Sequence, residues 1–188
     1  MDTATTTHAP EVRHLTPLDY MSLPDTAWSW AKELMHVTLL HQEHAASNRK
    51  RVRSHDLVTP FAVHPLQCAL AALSEPVLDG ELRVKLFRVL LYHELEAQTG
   101  IKPDFLQLPI QEMIRSLRCL GHGALGWSAP PEIRLAKLYS LVFDLQDGQL
   151  PQDAHANLLH HLVTDVAENY GVLNIVKLAY TLPRNDDY

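Results

Sequence analysis

The sequence predicts an all-α protein, a bundle of six or seven helices. Apolar residues recur at helical spacing along several stretches of the chain, and no stretch alternates apolar and polar residues for long enough to predict a strand. Prolines and glycines separate these stretches, as they do between packed helices. With 188 residues, of which 46% are hydrophobic, the chain can bury the core of one domain.

The N-terminal part of the chain is predicted to be a flexible arm over 1–24, because it is rich in threonine and proline. Residues 25–188 are predicted to form a single helical domain. Asp25 is a good N-cap for a first helix that continues to about Ser47. The apolar stripe of that helix consists of Trp28, Ala31, Met35 and Leu39.

Two helices are predicted in the middle of the chain. A threonine followed by a proline, a cap and first-turn pair, begins the second helix over 60–73. An Asp79-Gly80 turn precedes the third helix, which is predicted over 81–98. Gly100 is a helix stop because glycine adopts the left-handed conformation that often ends a helix.

Three helical regions are predicted in the last third of the chain. The first covers about 110–120 and is followed by a glycine-rich loop. The second begins at Pro130 or Pro131, with Ser128 or Ala129 as its cap, and ends near Gly148. The last covers about 152–180, with a break at Gly171.

Composition narrows the classes of function. The formal charge of −6, from 16 basic and 22 acidic residues, argues against bulk nucleic-acid binding. No apolar run is long enough to span a membrane, and the N-terminus lacks the apolar core of a signal peptide. We therefore expect a soluble, cytoplasmic protein without a membrane partner. The two cysteines, Cys68 and Cys119, lie in apolar helical contexts and are interpreted as reduced core residues.

The 12 histidines of the chain include candidates for a metal site. His93 and Glu94 are adjacent at the end of an apolar helical run. His41 and His44 are three residues apart and therefore lie on one helix face. Imidazole and carboxylate ligands together suit Mn²⁺, Fe²⁺, Zn²⁺ or Co²⁺. Such an ion polarises a phosphoryl oxygen and lowers the pKa of bound water.

In this order of motifs the chain resembles the HD-domain phosphohydrolases, and among them the alarmone (ppGpp) hydrolase domains of the RelA/SpoT type. The resemblance covers about 27–145. A histidine on an early helix is followed by a basic segment, a His-Pro-Leu segment, a run ending in His-Glu, and a late helix. These motifs correspond to His41 or His44, Arg49 to Arg51, Phe61 to Leu66, Val89 to Thr99, and Ile133 to Lys137.

The resemblance implies an HD-like helical bundle that holds a divalent metal, with Mn²⁺ favoured, and that acts on a nucleotide or (p)ppGpp-like phosphoester. The candidate metal ligands are His41, His44, His93, Glu94 and Asp144. The candidate substrate-binding residues are Arg49, Lys50, Arg51, His64 and Lys137. Glu96 is the candidate for activating water.

The chain also departs from the family pattern. Glu94 stands where the family has aspartate after its second histidine, and Lys137 stands where the family has a late metal-binding aspartate. Asp144, two turns further along the same helix face, is the substitute for that ligand. Ala97 and Gln98 replace a pair of carboxylates.

These departures leave three hypotheses open. The first is a metal-dependent phosphohydrolase acting on a phosphorylated small molecule or nucleotide. The second is a catalytically degenerate HD fold, without a metal, that binds a nucleotide or a protein partner as a regulatory module. The third is an unrelated helical interaction protein in which the histidines lie far apart.

Overall fold

The computed structural model describes residues 32–42, 62–120 and 129–146, and within 160–178 it describes residues 160, 162–166, 169–172, 174–175 and 177–178. These residues are helices and connecting turns with no strand, and this confirms the predicted all-α class. The chain divides into two compact units, Met1–Met35 and His36–Tyr188. Of the first unit only 32–35 are described, and they are helical. All contacts given below belong to the second unit.

Six helices have bounds in the continuous described ranges. They are α1 (32–42), α2 (Val63–Leu73), α3 (Gly80–Tyr92), α4 (Leu95–Thr99), α5 (Leu108–Cys119) and α6 (Pro131–Gln146). The predicted helices over 60–73, 110–120 and after Pro130 or Pro131 correspond to α2, α5 and α6. The predicted arm over 1–24 and the glycine-rich loop before α6 lie outside the described residues.

Helix α3 is the centre of the bundle, because α2, α5 and α6 all pack against it. Its second half is buried almost all round, as expected of a helix enclosed by three others. Asp79 caps its first turn by accepting a hydrogen bond of 2.9 Å from the Leu82 N–H. The predicted turn at Asp79-Gly80 therefore begins the central helix.

Helix α2 packs closely against α3 and α6 because its inner face carries small side chains. Cys68, Ala69 and Ala72 are all fully buried on that face. Pro65 lies in the first turn, where its missing N–H leaves no helical hydrogen bond unmade. The close packing brings the first turn of α2 to the C-terminal end of α3.

The third predicted helix is interrupted, which corrects its predicted extent of 81–98. Helix α3 ends at Tyr92, residues 93–94 form a turn, and α4 begins at Leu95. The Nδ1 atom of His93 lies 2.6 Å from the carbonyl oxygen of Leu90. This side-chain hydrogen bond competes with the helical backbone bond to the same carbonyl, and it explains why the helix ends there.

Two of the three predicted glycine stops, Gly100 and Gly171, are confirmed, and Gly148 lies outside the described residues. Gly100 has a φ of 75° and caps α4 in the left-handed conformation. Gly171 has a φ of 65° and separates helical residues 169–170 from helical residues 174–175. An L side chain at either position would be strained, since positive φ is unfavourable for residues other than glycine.

A buried glutamate holds the segment that follows Gly171. Glu75, in the turn after α2, is 2% exposed, and its carboxylate accepts hydrogen bonds from the backbone N–H groups of Asn174 and Ile175. Burial raises the pKa of Glu75 above its usual value, while the two N–H donors and the charge of Arg83 oppose that rise. Glu75 therefore caps the last described helical segment from a distant part of the chain.

We predict that replacing Glu75 by alanine will lower the free energy of unfolding by about 2 to 3 kcal/mol, because two backbone N–H groups lose a buried acceptor. Glu75→Gln keeps one acceptor oxygen and should lower it by about 1 kcal/mol or less. Urea denaturation followed by circular dichroism measures both. The exposed Glu81 provides the control, since Glu81→Ala should change stability by about 0.5 kcal/mol at most. Equal losses for Glu75→Ala and Glu81→Ala would contradict the capping role.

Candidate metal centre

Side chains from three parts of the bundle meet at the C-terminal end of α3. His64 comes from the first turn of α2, His93 and Glu94 from the turn between α3 and α4, and Asp144 from α6. One potential ligand atom from each of His64, His93 and Glu94 lies within 4.8 Å of the other two. The imidazole rings of His64 and His93 have centroids 5.4 Å apart. We call these four residues the candidate metal centre.

The Nε2 atom of His64 lies at the middle of the candidate metal centre. It is 3.5 Å from Oδ1 of Asp144 and 4.0 Å from Oε1 of Glu94. His64 itself is fully buried. The two carboxylates thus approach the same nitrogen from α6 and from the turn after α3.

The hydrogen bond of His93 decides which of its nitrogens is available. A carbonyl oxygen can only accept, so Nδ1 carries the proton that is donated to Leu90. The Nε2 atom then carries the lone pair, is buried, and has no hydrogen-bond partner among the described residues. A backbone carbonyl that orients an imidazole in this way is the usual support of a metal-binding histidine.

His93 is neutral throughout the physiological pH range. Burial lowers its pKa from 6.5 to about 3, and the charges of His64 and Lys137 act in the same direction. The hydrogen bond to Leu90 and the charge of Asp144 oppose the shift. A neutral imidazole is the form that binds a metal ion.

Of the four residues, His64, His93 and Glu94 fit a divalent cation in donor type and nearly in distance, whereas Asp144 lies near His64 without joining that group. Two imidazoles and two carboxylates form a donor set that suits Mn²⁺, Fe²⁺, Zn²⁺ or Co²⁺. Ligand atoms at about 2.1 Å from one ion are at most about 4.2 Å from one another. Since the atoms of His64, His93 and Glu94 lie within 4.8 Å of one another, small side-chain rotations would bring them to that separation.

Helix α6 contributes a polar face with both signs of charge. Ser140 donates a hydrogen bond of 3.4 Å to Oδ2 of Asp144, so Oδ1 of that carboxylate is the atom that approaches His64. Lys137, two turns before Asp144, is partly buried, and burial lowers its pKa while Asp144 opposes that shift. The carboxyl groups of Glu94 and Asp144 favour a cation at the centre, but Lys137 weakens that preference.

The remaining predicted site residues lie elsewhere or outside the described residues. His41 is 5% exposed on α1 and is not part of the group formed by His64, His93 and Glu94. Glu96, on α4, forms an ion pair with Arg118 of α5. His44, Arg49, Lys50 and Arg51 lie outside the described residues, so their predicted roles stay predictions.

The structure places His64 beside His93 and Glu94, although the sequence favoured His41 or His44 as the partner ligand. It also places Cys68 next to this centre, with its Sγ atom 3.6 Å from Nε2 of His64 and 3.8 Å from the Tyr139 carbonyl. The i to i+4 spacing of His64 and Cys68 was the sequence signal for this neighbour. Cys68 is buried and forms no disulfide, in agreement with its prediction as a reduced core residue, whereas Cys119 is exposed and its prediction as a core residue was wrong.

Comparison with protein-family models, curated proteins and solved structures found no match to this chain. The geometry of the candidate metal centre and the motifs of the sequence are therefore the features of this chain that point to a function. In the part of the chain that the structure describes, no helix is long and apolar enough to cross a membrane.

We predict that the stability of the protein decreases as the pH falls from about 6.5 towards about 3, in part because of His93. The pKa of His93 is lower in the folded than in the unfolded state, so the unfolded state binds the extra proton throughout that window. For a fully buried group with this shift, the contribution is of the order of a few kcal/mol. Urea denaturation at several pH values measures it.

The matched variant for this measurement is His93→Gln, which does not titrate. Its free energy of unfolding should change less between pH 6.5 and pH 3 than that of the wild type, and the difference isolates His93 from the carboxylates that titrate in the same range. Identical pH profiles for the two proteins would show that His93 is not held neutral by the fold.

Proposed function

We propose that this chain is a divalent-metal-dependent phosphohydrolase of the HD-domain type, acting on a phosphoester or pyrophosphate bond of a nucleotide or (p)ppGpp-like molecule. One observation carries the proposal, namely the meeting of His64, His93 and Glu94 with their potential ligand atoms within 4.8 Å. Asp144, 3.5 Å from His64, supplies the second carboxylate. The order of the sequence motifs, which resembles that of HD-domain proteins, also supports it.

In this proposal His64, His93, Glu94 and Asp144 would hold the metal ion. When bound, such an ion supplies a Lewis acid and lowers the pKa of water enough to make a nucleophile near neutral pH. The surrounding residues orient these ligands. Leu90 fixes the tautomer of His93, and Ser140 directs one oxygen of Asp144 towards His64.

Lys137 has a role of its own in the proposed enzyme. Its ammonium group is partly buried on the same helix as Asp144 and acts electrostatically on His93. A cation beside a metal centre can bind a phosphoryl oxygen of the substrate and stabilise the charge that develops during phosphoryl transfer. The basic segment from Arg49 to Arg51 is the proposed site for the remaining phosphates.

We predict that the untagged protein binds a divalent metal and that His93→Ala abolishes this binding, because the variant lacks the imidazole whose Nε2 atom lies in the centre. Elemental analysis of the purified proteins, repeated after incubation with Mn²⁺ and desalting, measures the bound metal. The control is His160→Ala, since His160 is exposed and lies outside the candidate metal centre. Hydrolysis of ppGpp and of a model phosphodiester in the presence of Mn²⁺ should follow the metal content.

A wild-type protein that binds no metal and hydrolyses neither substrate would refute this function. The helical circular dichroism spectrum of each variant shows whether a loss of metal comes from the loss of a ligand or from unfolding. His93→Gln serves as a second variant if His93→Ala does not fold.

Lys137 favours a second candidate function, a catalytically degenerate HD fold that binds a nucleotide without cleaving it or acts through a protein partner. The ammonium group lies near a carboxylate of the candidate centre and raises the energy of any cation placed there. In this case the protein should bind no metal, and calorimetry should detect a guanine or adenine nucleotide that is not turned over. If the protein binds neither metal nor nucleotide, the remaining form of this second function is a module that acts through a protein partner.

We predict that Lys137→Ala strengthens the binding of Mn²⁺ about tenfold, because a like charge is removed from the neighbourhood of the ion. Lys177→Ala removes the same charge from an exposed position on the last described helical segment and should change the affinity less than about twofold. Titration calorimetry with Mn²⁺ compares the two variants with the wild type. Equal effects of both substitutions would show that Lys137 does not act on the centre.

A further inference from the structure

A second concave site lies on the other side of α4, between the segment that follows α4 and helix α5. It has a volume of about 220 Å³. Its charged lining consists of Glu96, Lys102, Asp104, Arg115 and Arg118. We call this site the arginine groove, and none of its residues belongs to the candidate metal centre.

The lining of the arginine groove has an excess of positive charge in a chain whose net charge is −6. Three cationic side chains face two carboxylates, and Glu96 is already paired with Arg118. Among the described residues, Arg115 and Lys102 form no ion pair. Arg115 and Arg118 are three residues apart on α5, a spacing that places two like charges on one helix face.

The groove is preformed by contacts that do not involve a ligand. Gln111 donates from Nε2 to the carbonyl oxygens of Leu106, at 2.7 Å, and Asp104, at 3.3 Å, and thereby fixes the segment before α5. Ile114, 2% exposed, contributes an apolar surface to the groove. The ion pair with Glu96 also restricts the guanidinium group of Arg118. The backbone of the groove and one of its guanidinium groups are therefore held in place without a ligand.

We propose that the arginine groove binds a phosphoryl group, either as a free inorganic anion or as the end of a larger molecule. A carboxylate has only two oxygens, whereas a phosphoryl group offers at least three acceptors and can engage Arg115, Arg118 and Lys102 together. Arginine binds phosphate through parallel N–H donors. The volume of the groove suits an anion of this size rather than a complete nucleotide.

This binding requires neither the metal nor hydrolysis. Glu94 and Glu96 belong to the same turn and short helix, yet Glu94 lies near His64 whereas Glu96 pairs with Arg118 of α5. The arginine groove is therefore a separate anion site, and it should keep its affinity in a protein whose metal centre has been destroyed.

Titration calorimetry of the full chain with inorganic pyrophosphate, at low ionic strength and with EDTA present, tests the proposal. We expect saturable binding that weakens about tenfold in Arg115→Gln and in Lys102→Gln, since each loses a charged donor. The control Lys177→Gln changes the net charge equally at an exposed position outside the groove, and its affinity should stay within about twofold of the wild type. His93→Ala should bind pyrophosphate as the wild type does.

Two results would overturn the proposal. One is the absence of saturable binding of pyrophosphate by the wild type, and the other is equal weakening in Arg115→Gln and Lys177→Gln. All three substituted residues are exposed, and circular dichroism shows that each variant is folded. A parallel titration with a nucleoside diphosphate distinguishes the two sources of the phosphoryl group. If the nucleoside diphosphate binds more tightly than pyrophosphate, the phosphoryl group recognised is the end of a larger molecule. If the two bind equally, the groove recognises the phosphate alone. Both results agree with the proposed site.

Discussion

The hydrogen bond between Nδ1 of His93 and the carbonyl oxygen of Leu90 is the interaction on which the candidate metal centre depends. It occupies an acceptor that the helix would otherwise use and so accompanies the end of α3. It leaves the lone pair of His93 on Nε2, inside the bundle. His93 and Glu94 keep backbone angles in the right-handed helical region, and both side chains reach His64 at this end of the helix.

Burial gives this arrangement its chemical character. An imidazolium at the position of His93 would lie in a dry interior beside a second histidine and near Lys137, so the neutral ring is strongly favoured. Two carboxylates, Glu94 and Asp144, approach the same region and would repel each other without a cation between them. Lys137 provides part of that positive charge from within the chain. The centre thus combines two carboxylates with an internal cation, Lys137.

Much of the fold could be predicted from the sequence, because helices leave a local signal. The Asp79-Gly80 turn, the stops at Gly100 and Gly171, and the proline before α6 each act on their immediate neighbours, and the structure confirms them. The break at His93 could not be predicted, since it depends on a side chain competing for a backbone carbonyl. The meeting of His64 with His93 depends on how closely α2 packs against α3, which the spacing of histidines along one helix does not reveal.

The short helix α4 separates two sites with opposite preferences. Before its first residue, Glu94 adds negative charge to a centre suited to a cation. Within it, Glu96 neutralises one of the three cations of the arginine groove and leaves a site suited to an anion. An anion that engages Arg118 competes with Glu96 for the same guanidinium group, because both accept from its N–H donors. The binding free energy of the anion then includes the weakening of the ion pair that joins α4 to α5. A substitution of Arg118 would remove that ion pair together with an anion ligand. Substitutions of Arg115 and Lys102 remove only a ligand, and they therefore distinguish a specific anion site from general electrostatic attraction.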